Sequence, residues 1–193
     1  MAMRSPSEVQ SMGFASIGDN VQISDHASIY GATRIHIGNH VRIDDFCVIS
    51  AGTGGIYIGN YVHIATFTSL IGAEKISLAD YSGLSSRVSI YSSSDDYSGS
   101  VMTNPTVPAL YTGVISAPVC IGRHVIIGSG SVVLPGVTIN DGAAIGALSL
   151  VYKDCDAFTV YAGNPARRIK ERKRDLLRLE QELLSSPPTT SSY

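Results

Sequence analysis

The chain has 193 residues, of which 16% are charged, and a formal net charge of −2 at pH 7. This length is sufficient for one domain with a sizeable core, and the charge provides no basic field of the kind that binds nucleic acid. The sequence contains no apolar run of about eighteen residues, so no membrane-spanning helix is expected. Residues 1–14 also lack the apolar core of a secretion signal.

A short helix is predicted in the N-terminal segment, residues 1–16. Ser5 can cap a helix that has Pro6 just inside its first turn, and the pattern continues to residue 12. We expect this helix to cover the open end of the first turn of the domain that follows, where strand edges need shielding.

Residues 17–156 carry a six-residue repeat in which the first residue is aliphatic and the fifth is mostly small or β-branched. A short strand plus a corner, repeated three times per turn, explains this period, with the first and fifth residues pointing inward. The pattern therefore predicts an all-β solenoid of about six turns. The first residues of the hexads are Ile17, Ile23, Ile29, Ile37, Ile43, Ile49, Ile58, Ile64, Leu70, Leu78, Leu84, Ile90, Ile121, Ile127, Val133, Ile139, Ile145 and Val151.

The three cysteines do not suggest a disulfide framework. Cys47 and Cys155 fall on fifth positions, which point inward and favour small apolar residues, as do Thr33 and Thr53. We interpret the two cysteines as core residues of a protein in a reducing cytoplasm.

One insertion interrupts the repeat. Turns begin 20 or 21 residues apart at first, which predicts that two or three residues bulge at one corner of each turn. The spacing then rises to 43 between Leu78 and Ile121. The inserted segment, residues 91–118, is called the arm below. Its length and its Tyr and Pro content favour an ordered, functional loop.

The repeat ends after Val151. In the C-terminal extension, residues 157–184, Pro165 is predicted to begin a helix with a leucine stripe and a basic first half. The tail, residues 185–193, is of low complexity and is predicted to be disordered.

Several strings resemble the hexapeptide-repeat acyltransferases, which are trimeric left-handed parallel β-helices, and in particular the branch that acetylates sugars of bacterial surface polysaccharides. The resemblance covers residues 5–172, and left-handedness rests on it alone. It implies acetyl transfer from acetyl-CoA to the amino group of a nucleotide-linked aminodeoxysugar. The strings are GNYVHIATF (59–67), SGLSSRVSIYSSSDDYSG (82–99), MTNPTVP (102–108), VIIGSGSVVLPGVTI (125–139), IGALSLVYKD (145–154) and AGNPARRIK (162–170).

His63 is the candidate general base. It is the sixth residue of its hexad, so it should point outward between Arg42 below and Gly83 above, and the small glycine leaves room for a ligand. The resemblance of the HIA string implies the catalytic role, and Arg42 is a candidate substrate contact. The other histidines lie on another face or at corners: His26, His36, His40 and His124.

The arm departs from one pattern of the family. In its galactoside and xenobiotic acetyltransferases the base is a histidine in or near this loop, and the arm has none. Three alternatives stay open: a base on a coil, a carboxylate base, or an acceptor that reacts without a dedicated base. Candidate sugar-binding residues in the arm are Asp95, Asp96, Tyr97, Asn104 and Thr106, with the two aspartates also able to orient His63 from an adjacent subunit.

Two groups of residues are candidates for binding coenzyme A. Ser129, Gly130 and Ala147 lie on turns where small side chains let the backbone approach the pantetheine arm. A group that we call the basic cluster offers several phosphate donors, and its AGNPARRIK string resembles the CoA end of the family. The basic cluster consists of Lys153, Arg167, Arg168 and Lys170.

Other readings remain. The enzyme could acetylate a glycan hydroxyl, or the chain could be a non-catalytic assembly module without acetyl-CoA binding. A metalloenzyme such as a γ-class carbonic anhydrase needs three His ligands, and the close pair His36 and His40 should diverge; no metal site is therefore expected. The small-residue turns at 82–86 and 128–131 favour a homotrimer.

Overall fold

In the computed structural model, which describes residues 2–185, the chain winds into a three-sided parallel β-solenoid. Each coil contributes one short strand to each of three sheets. Sheet 1 contains Ser16–Ile17, Ile35–Ile37, Ile56–Ile58, Ile76–Leu78, Val119–Ile121 and Thr138–Ile139. Sheet 2 contains Gln22–Ile23, Arg42–Ile43, His63–Ile64, Gly83–Leu84, Ile126–Ile127, Ala144–Ile145, Thr159–Ala162 and Arg167–Glu171. Sheet 3 contains Ser28–Tyr30, Val48–Ala51, Ser69–Gly72, Ser89–Tyr91, Val132–Val133 and Leu150–Val151.

The hexad pattern places the core where it was predicted. Side chains such as Ile43, Ile64 and Ile127 are fully buried and stack in ladders from coil to coil, because the strands pair in parallel register. Stacking lets neighbouring coils bury aliphatic surface that a single coil would leave in water.

Thr33 and Thr53 are wrong as inward residues, because both are exposed. They lie in the extra residues of the early coils, which form a corner between sheet 3 and sheet 1; Thr33 belongs to the short 3-10 helix Ala32–Arg34. The additional residues shift the hexad register there, so the threonines leave the core.

The N-terminal helix is Pro6–Ser11. The Ser5 side chain accepts a hydrogen bond from the backbone N–H of Glu8, whose carboxylate accepts one from the backbone of Ser5, which forms a capping box. Val9 is buried in the core cluster, so the helix packs against the first coil as expected.

The arm is ordered. Ser93–Ser94 pairs antiparallel with Ile115–Ser116 at its base, and a 3-10 helix, Ala109–Tyr111, lies near its end. This pairing closes the excursion at its base, between the end of a sheet 3 strand, Ser89–Tyr91, and the next sheet 1 strand, Val119–Ile121.

Pro165 does not begin a helix. Arg167–Glu171 is a strand that pairs antiparallel with Thr159–Ala162, and the C-terminal helix is Asp175–Ser185. Thr159–Ala162 itself extends sheet 2 and, with the bridge from Ile139 to Cys155, adds a partial coil, so the solenoid has about seven turns. The open sheet edge offers unpaired backbone groups, and pairing with them outweighs the local helical pattern.

The C-terminal helix contacts the solenoid through few side chains. Glu180 pairs with Arg123 and with His124, the latter at 2.7 Å. The predicted leucine stripe is largely exposed. Of the predicted disordered tail, only Ser185 lies within the described residues. None of the helices in residues 2–185 combines the length and apolar character needed to cross a membrane.

Candidate active site

An outward row on sheet 2 carries the candidate base. Arg42 pairs in register with His63, and His63 pairs with Gly83, so the three residues stack in consecutive coils as the hexad spacing predicted. We call Arg42, His63 and Gly83 the site row. His63 and Arg42 keep about half of their side-chain surface exposed, at 52% and 47%.

Asp44 joins the first two residues of this row. Its Oδ1 accepts a hydrogen bond from Arg42 Nε at 2.7 Å, and its Oδ2 lies 2.8 Å from His63 Nε2. The Asp44 side chain is only 8% exposed. Its backbone N–H donates to the carbonyl of Ile64 at 2.9 Å, which fixes the corner beneath the next coil.

The carboxyl group of Asp44 is held ionised. Burial by itself raises the pKa of Asp44, but the hydrogen bonds and positive charges of Arg42 and His63 outweigh it and leave the pKa below its usual value. A carboxylate that faces an imidazole can hold the ring in one orientation. The site therefore contains a half-exposed imidazole on a buried anionic support.

Sequence reasoning missed Asp44. It directly follows the inward Ile43, at a position where the repeat often has glycine, and no role was assigned to it. The coil register aligns position 44 with position 65 and not with His63, so the spacing carried no signal for this contact.

Gly83 places no side chain above His63. A Cβ placed on Gly83 would meet only the tip of Ile126, at 3.2 Å. Gly83 is absent from the left-handed glycines, so its backbone conformation does not require glycine. The neighbouring imidazole keeps about half of its surface exposed.

The arm residues bond mainly with one another. Asp96 accepts hydrogen bonds from the backbone N–H and the hydroxyl of Ser98, and these bonds lower its pKa. Asp95 accepts from the Asn104 N–H at 3.3 Å, and Asn104 in turn accepts from Thr106. These bonds stabilise the tip of the arm within its own subunit and do not bring it to His63.

The arm also presents apolar surface to solvent. Tyr97 is 92% exposed and Leu110 is 87% exposed. Further exposed arm side chains are Val101, Met102, Tyr111, Val114 and Ile115. Exposed apolar groups concentrated on one projecting element are typical of a contact surface.

Three of the four residues of the basic cluster line one groove at the C-terminal end of the solenoid. The groove has a volume of about 170 Å³, and Lys153, Arg167 and Arg168 lie in its wall, whereas Lys170 does not. Arg167 donates to the Tyr152 hydroxyl at 3.3 Å, and this hydrogen bond, together with the charges of Arg167 and Lys153, lowers the pKa of Tyr152. The groove is therefore electropositive.

The small-residue candidates lie elsewhere, at the corner between sheets 2 and 3. The Ser129 carbonyl accepts from the Leu148 N–H at 2.9 Å, which places the 129–130 corner next to the 147–148 corner of the following coil. Gly130 has φ +72°, a left-handed conformation that favours glycine. None of Ser129, Gly130 and Ala147 lines the groove, so the structure does not bring the two groups of candidate CoA-binding residues into one pocket.

The remaining histidines form stacks with aromatic rings. His36 lies on sheet 1 against Tyr57, and His40 stacks on Tyr61 at a corner. Within residues 2–185, the one cluster that could hold a metal consists of Asp25, His26 and Asp45, and it has a single histidine. It does not resemble a three-histidine metal centre.

Comparison with known proteins places this geometry in context, although no family model matches the chain. The sequence is 58% identical over 180 residues to the dTDP-4-amino-4,6-dideoxy-D-glucose acyltransferase of Escherichia coli, covering 93% of this chain and 94% of the relative. It is 29% identical to the putative lipopolysaccharide biosynthesis O-acetyl transferase WbbJ of E. coli K12, over 77% of this chain and 74% of the relative.

Among solved structures, the N-acyltransferase AntD of Bacillus cereus superimposes with a TM-score of 0.91 and 44% identity, over 95% of this chain and 97% of AntD. A point mutant of AntD has been crystallised with dTDP-4-amino-4,6-dideoxyglucose and coenzyme A, and AntD with dTDP and 3-hydroxybutyryl-CoA. The solenoid described above is the left-handed β-helix expected from the sequence.

Proposed function

The chain belongs to the hexapeptide-repeat sugar acyltransferases, and we propose that it transfers an acetyl group from acetyl-CoA to the amino group of a nucleotide-linked aminodeoxysugar in bacterial surface-polysaccharide synthesis. The observation that carries this proposal is the 58% identity, over nearly the whole chain, to an acyltransferase named for such a sugar. An imidazole on an open row of the solenoid suits that chemistry.

In the proposed reaction His63 is the general base. The neutral amine attacks the thioester carbonyl carbon, a C–N bond forms, and the C–S bond breaks. His63 accepts the proton that the amine loses and returns it to the departing sulfur, so CoA leaves as the thiol. The half-exposed ring beside Gly83 gives the amine room to reach the imidazole.

The basic cluster is proposed to hold the phosphates of coenzyme A. Lys153, Arg167 and Arg168 converge on one groove, and guanidinium groups bind phosphate oxygens through paired donors. Lys170 lies outside the lining and is proposed to contribute only at its margin. Backbone groups near Ser129, Gly130 and Ala147 are proposed to meet the pantetheine arm, which is long enough to cross between corners.

The sugar nucleotide is proposed to bind between subunits of a homotrimer. Asp95, Asp96 and Tyr97 are displayed on an apolar projecting arm, and within one subunit the arm bonds to itself. A neighbouring subunit would cover the arm's apolar surface and bring Asp95, Asp96, Tyr97, Asn104 and Thr106 toward the site row. Arg42, whose Nε is engaged by Asp44, is proposed to contact the substrate with the exposed part of its guanidinium.

Light scattering tests the assembly. A homotrimer predicts about three times the 20.4 kDa mass of one chain at micromolar concentration, and a mass near that of the single chain would contradict it.

We place the enzyme in the cytoplasm, because its three cysteines are free thiols, as is usual in reducing compartments.

A second candidate is transfer to a glycan hydroxyl, which the likeness to WbbJ favours. The two functions are distinguished by the acceptor that reacts. The protein is incubated with acetyl-CoA and either a dTDP-aminodeoxysugar or a plain glycoside, and the release of free thiol is followed. Thiol release with the amino sugar alone supports the proposal. A chain that is only an assembly module would not be stabilised by acetyl-CoA in a thermal-shift assay.

A further inference from the structure

Asp44 is held in place by its backbone and by both oxygens of its side chain. It lies at the corner that leaves sheet 2, its backbone is tied to Ile64 in the next coil, and its side chain is almost fully buried between two half-exposed partners. The carboxylate therefore has little freedom to turn away from Arg42 or His63.

The two carboxylate oxygens of Asp44 bind different partners. Oδ1 accepts from Arg42 Nε and Oδ2 accepts from His63 Nε2, at 2.7 and 2.8 Å. An ionised carboxylate can only accept hydrogen bonds, so the imidazole atom that faces it must be the donor. In the neutral ring the proton then lies on Nε2, and the lone pair able to accept a proton lies on Nδ1.

We propose that Asp44 is a positioning residue that fixes the Nε2–H tautomer of His63 and directs its Nδ1 to the amine of the acceptor. This inference rests on the proposed function of His63 as general base. When Nδ1 takes the proton, the resulting imidazolium faces the Asp44 carboxylate, which stabilises the new charge. Arg42 keeps that carboxylate ionised and correctly turned.

The adjacent aspartate provides a matched control. Asp45 occupies the same corner, but its Oδ1 accepts from the Ser24 hydroxyl and lies near His26 rather than His63. Asp45→Asn removes a carboxylate from the same backbone segment without touching the site row. A merely structural role for charge at this corner would make the two variants behave alike.

The first measurement reads the tautomer without substrate. Long-range ¹H–¹⁵N NMR on the intact protein, with His63 assigned by comparison with His63→Gln, is expected to show Nε2–H in the wild type and in Asp45→Asn. In Asp44→Asn the side-chain amide can donate to Nε2, so the Nδ1–H form should gain population. A wild-type ring protonated on Nδ1 would overturn the proposal.

The second measurement is the kinetic consequence. Asp44→Asn is expected to lower kcat by at least about tenfold, with an unchanged KM for acetyl-CoA, because the misplaced proton blocks the base. Asp45→Asn should stay within about twofold of the wild type. Asp44→Glu, which keeps the charge but moves it, should also be slow; full activity in Asp44→Glu and Asp44→Asn would refute positioning.

The two claims can fail separately. If the tautomer depends on Asp44 but His63→Ala transfers acetyl at the wild-type rate, the assignment of His63 as base has failed, and the catalytic consequence of Asp44 with it. If the wild type acylates no amino sugar, the proposed function has failed, while the NMR experiment still decides whether Asp44 sets the tautomer.

Discussion

Replacing His63 by alanine separates chemistry from stability. The side chain is 52% exposed and makes one ion pair, with Asp44. Because the imidazole is half-exposed although Asp44 is buried, we expect the pair to contribute about 1 kcal/mol, and its loss to lower the melting temperature by about 2–4 °C. The carboxylate of Asp44 keeps Arg42 as a partner, so it is not left unpaired in the fold.

The catalytic effect should be much larger. General-base assistance contributes about 10² to 10⁴ in rate, so His63→Ala should lower kcat at least about a hundredfold, which corresponds to about 2.7 kcal/mol of transition-state stabilisation. His63→Asn should behave like the alanine variant, because it can form a hydrogen bond but cannot take a proton near neutral pH.

The assay follows free CoA thiol at saturating acetyl-CoA and dTDP-4-amino-4,6-dideoxyglucose. A burst-phase control establishes that acetyl transfer, and not product release, limits the rate. A fall in kcat of less than tenfold under these conditions would refute the base assignment and leave His63 as a residue that positions the sugar. The base would then have to be sought in the arm.

Three other changes test separate parts of the account. Gly83→Val should leave the fold intact, since only the tip of Ile126 is near the added side chain. It should raise the KM for the amino sugar at least about tenfold, because the valine fills the space above the imidazole. Unchanged kinetics would show that no ligand enters that space. Lys153→Ala and Arg168→Ala should each raise the KM for acetyl-CoA with little change in kcat. As a control, Lys75→Ala, which removes a distant cation that lies over Tyr57, should leave this KM unchanged. Equal KM values in all variants would contradict the assignment of Lys153 and Arg168 to the phosphates. Burial raises the pKa of the Cys47 thiol from 9.0 to about 11, so the native thiol should resist iodoacetamide at about pH 8. Its contribution to the free energy of unfolding, about 3 kcal/mol, is present below pH 9 and is lost as the pH rises through about 11; rapid native-state alkylation would contradict this.

The solenoid could be predicted because one period determines both burial and stacking. Ile43 and Ile64 are buried for the same reason that Arg42 and His63 point outward, and adding one coil to a residue number gives its neighbour above. The site row was therefore available from the sequence, and with it the missing side chain at Gly83.

The contact between Asp44 and His63 could not be predicted in the same way. Corner residues leave the strand alternation, so the direction of a side chain there depends on local backbone dihedrals and not on the period. The nearby Phe46 has a left-handed φ of 60°, as Phe67 does in the next coil, so the backbone at this corner turns away from the strand geometry. Only the folded corner shows that the carboxylate turns toward His63.

The prediction of a helix beginning at Pro165 was wrong because of a tertiary interaction. Its basic residues and leucines fit a helical period, but Arg167–Glu171 meets the free edge of Thr159–Ala162 and pairs with it. Local propensity is a weak preference that an unpaired sheet edge overrides. The sugar-binding role that we propose for the arm requires neighbouring subunits, and a hexad pattern within one chain carries no information about them.

The central claim is tested most directly by the identity of the acylated product. Purified protein should convert acetyl-CoA and dTDP-4-amino-4,6-dideoxyglucose to an N-acetylated nucleotide sugar, identified by mass spectrometry and by amide NMR signals, with one thiol released per product. A parallel reaction with 3-hydroxybutyryl-CoA, the ligand of AntD, reports the acyl preference. Acetylation of a glycoside hydroxyl while the amino sugar remains unmodified would contradict the account.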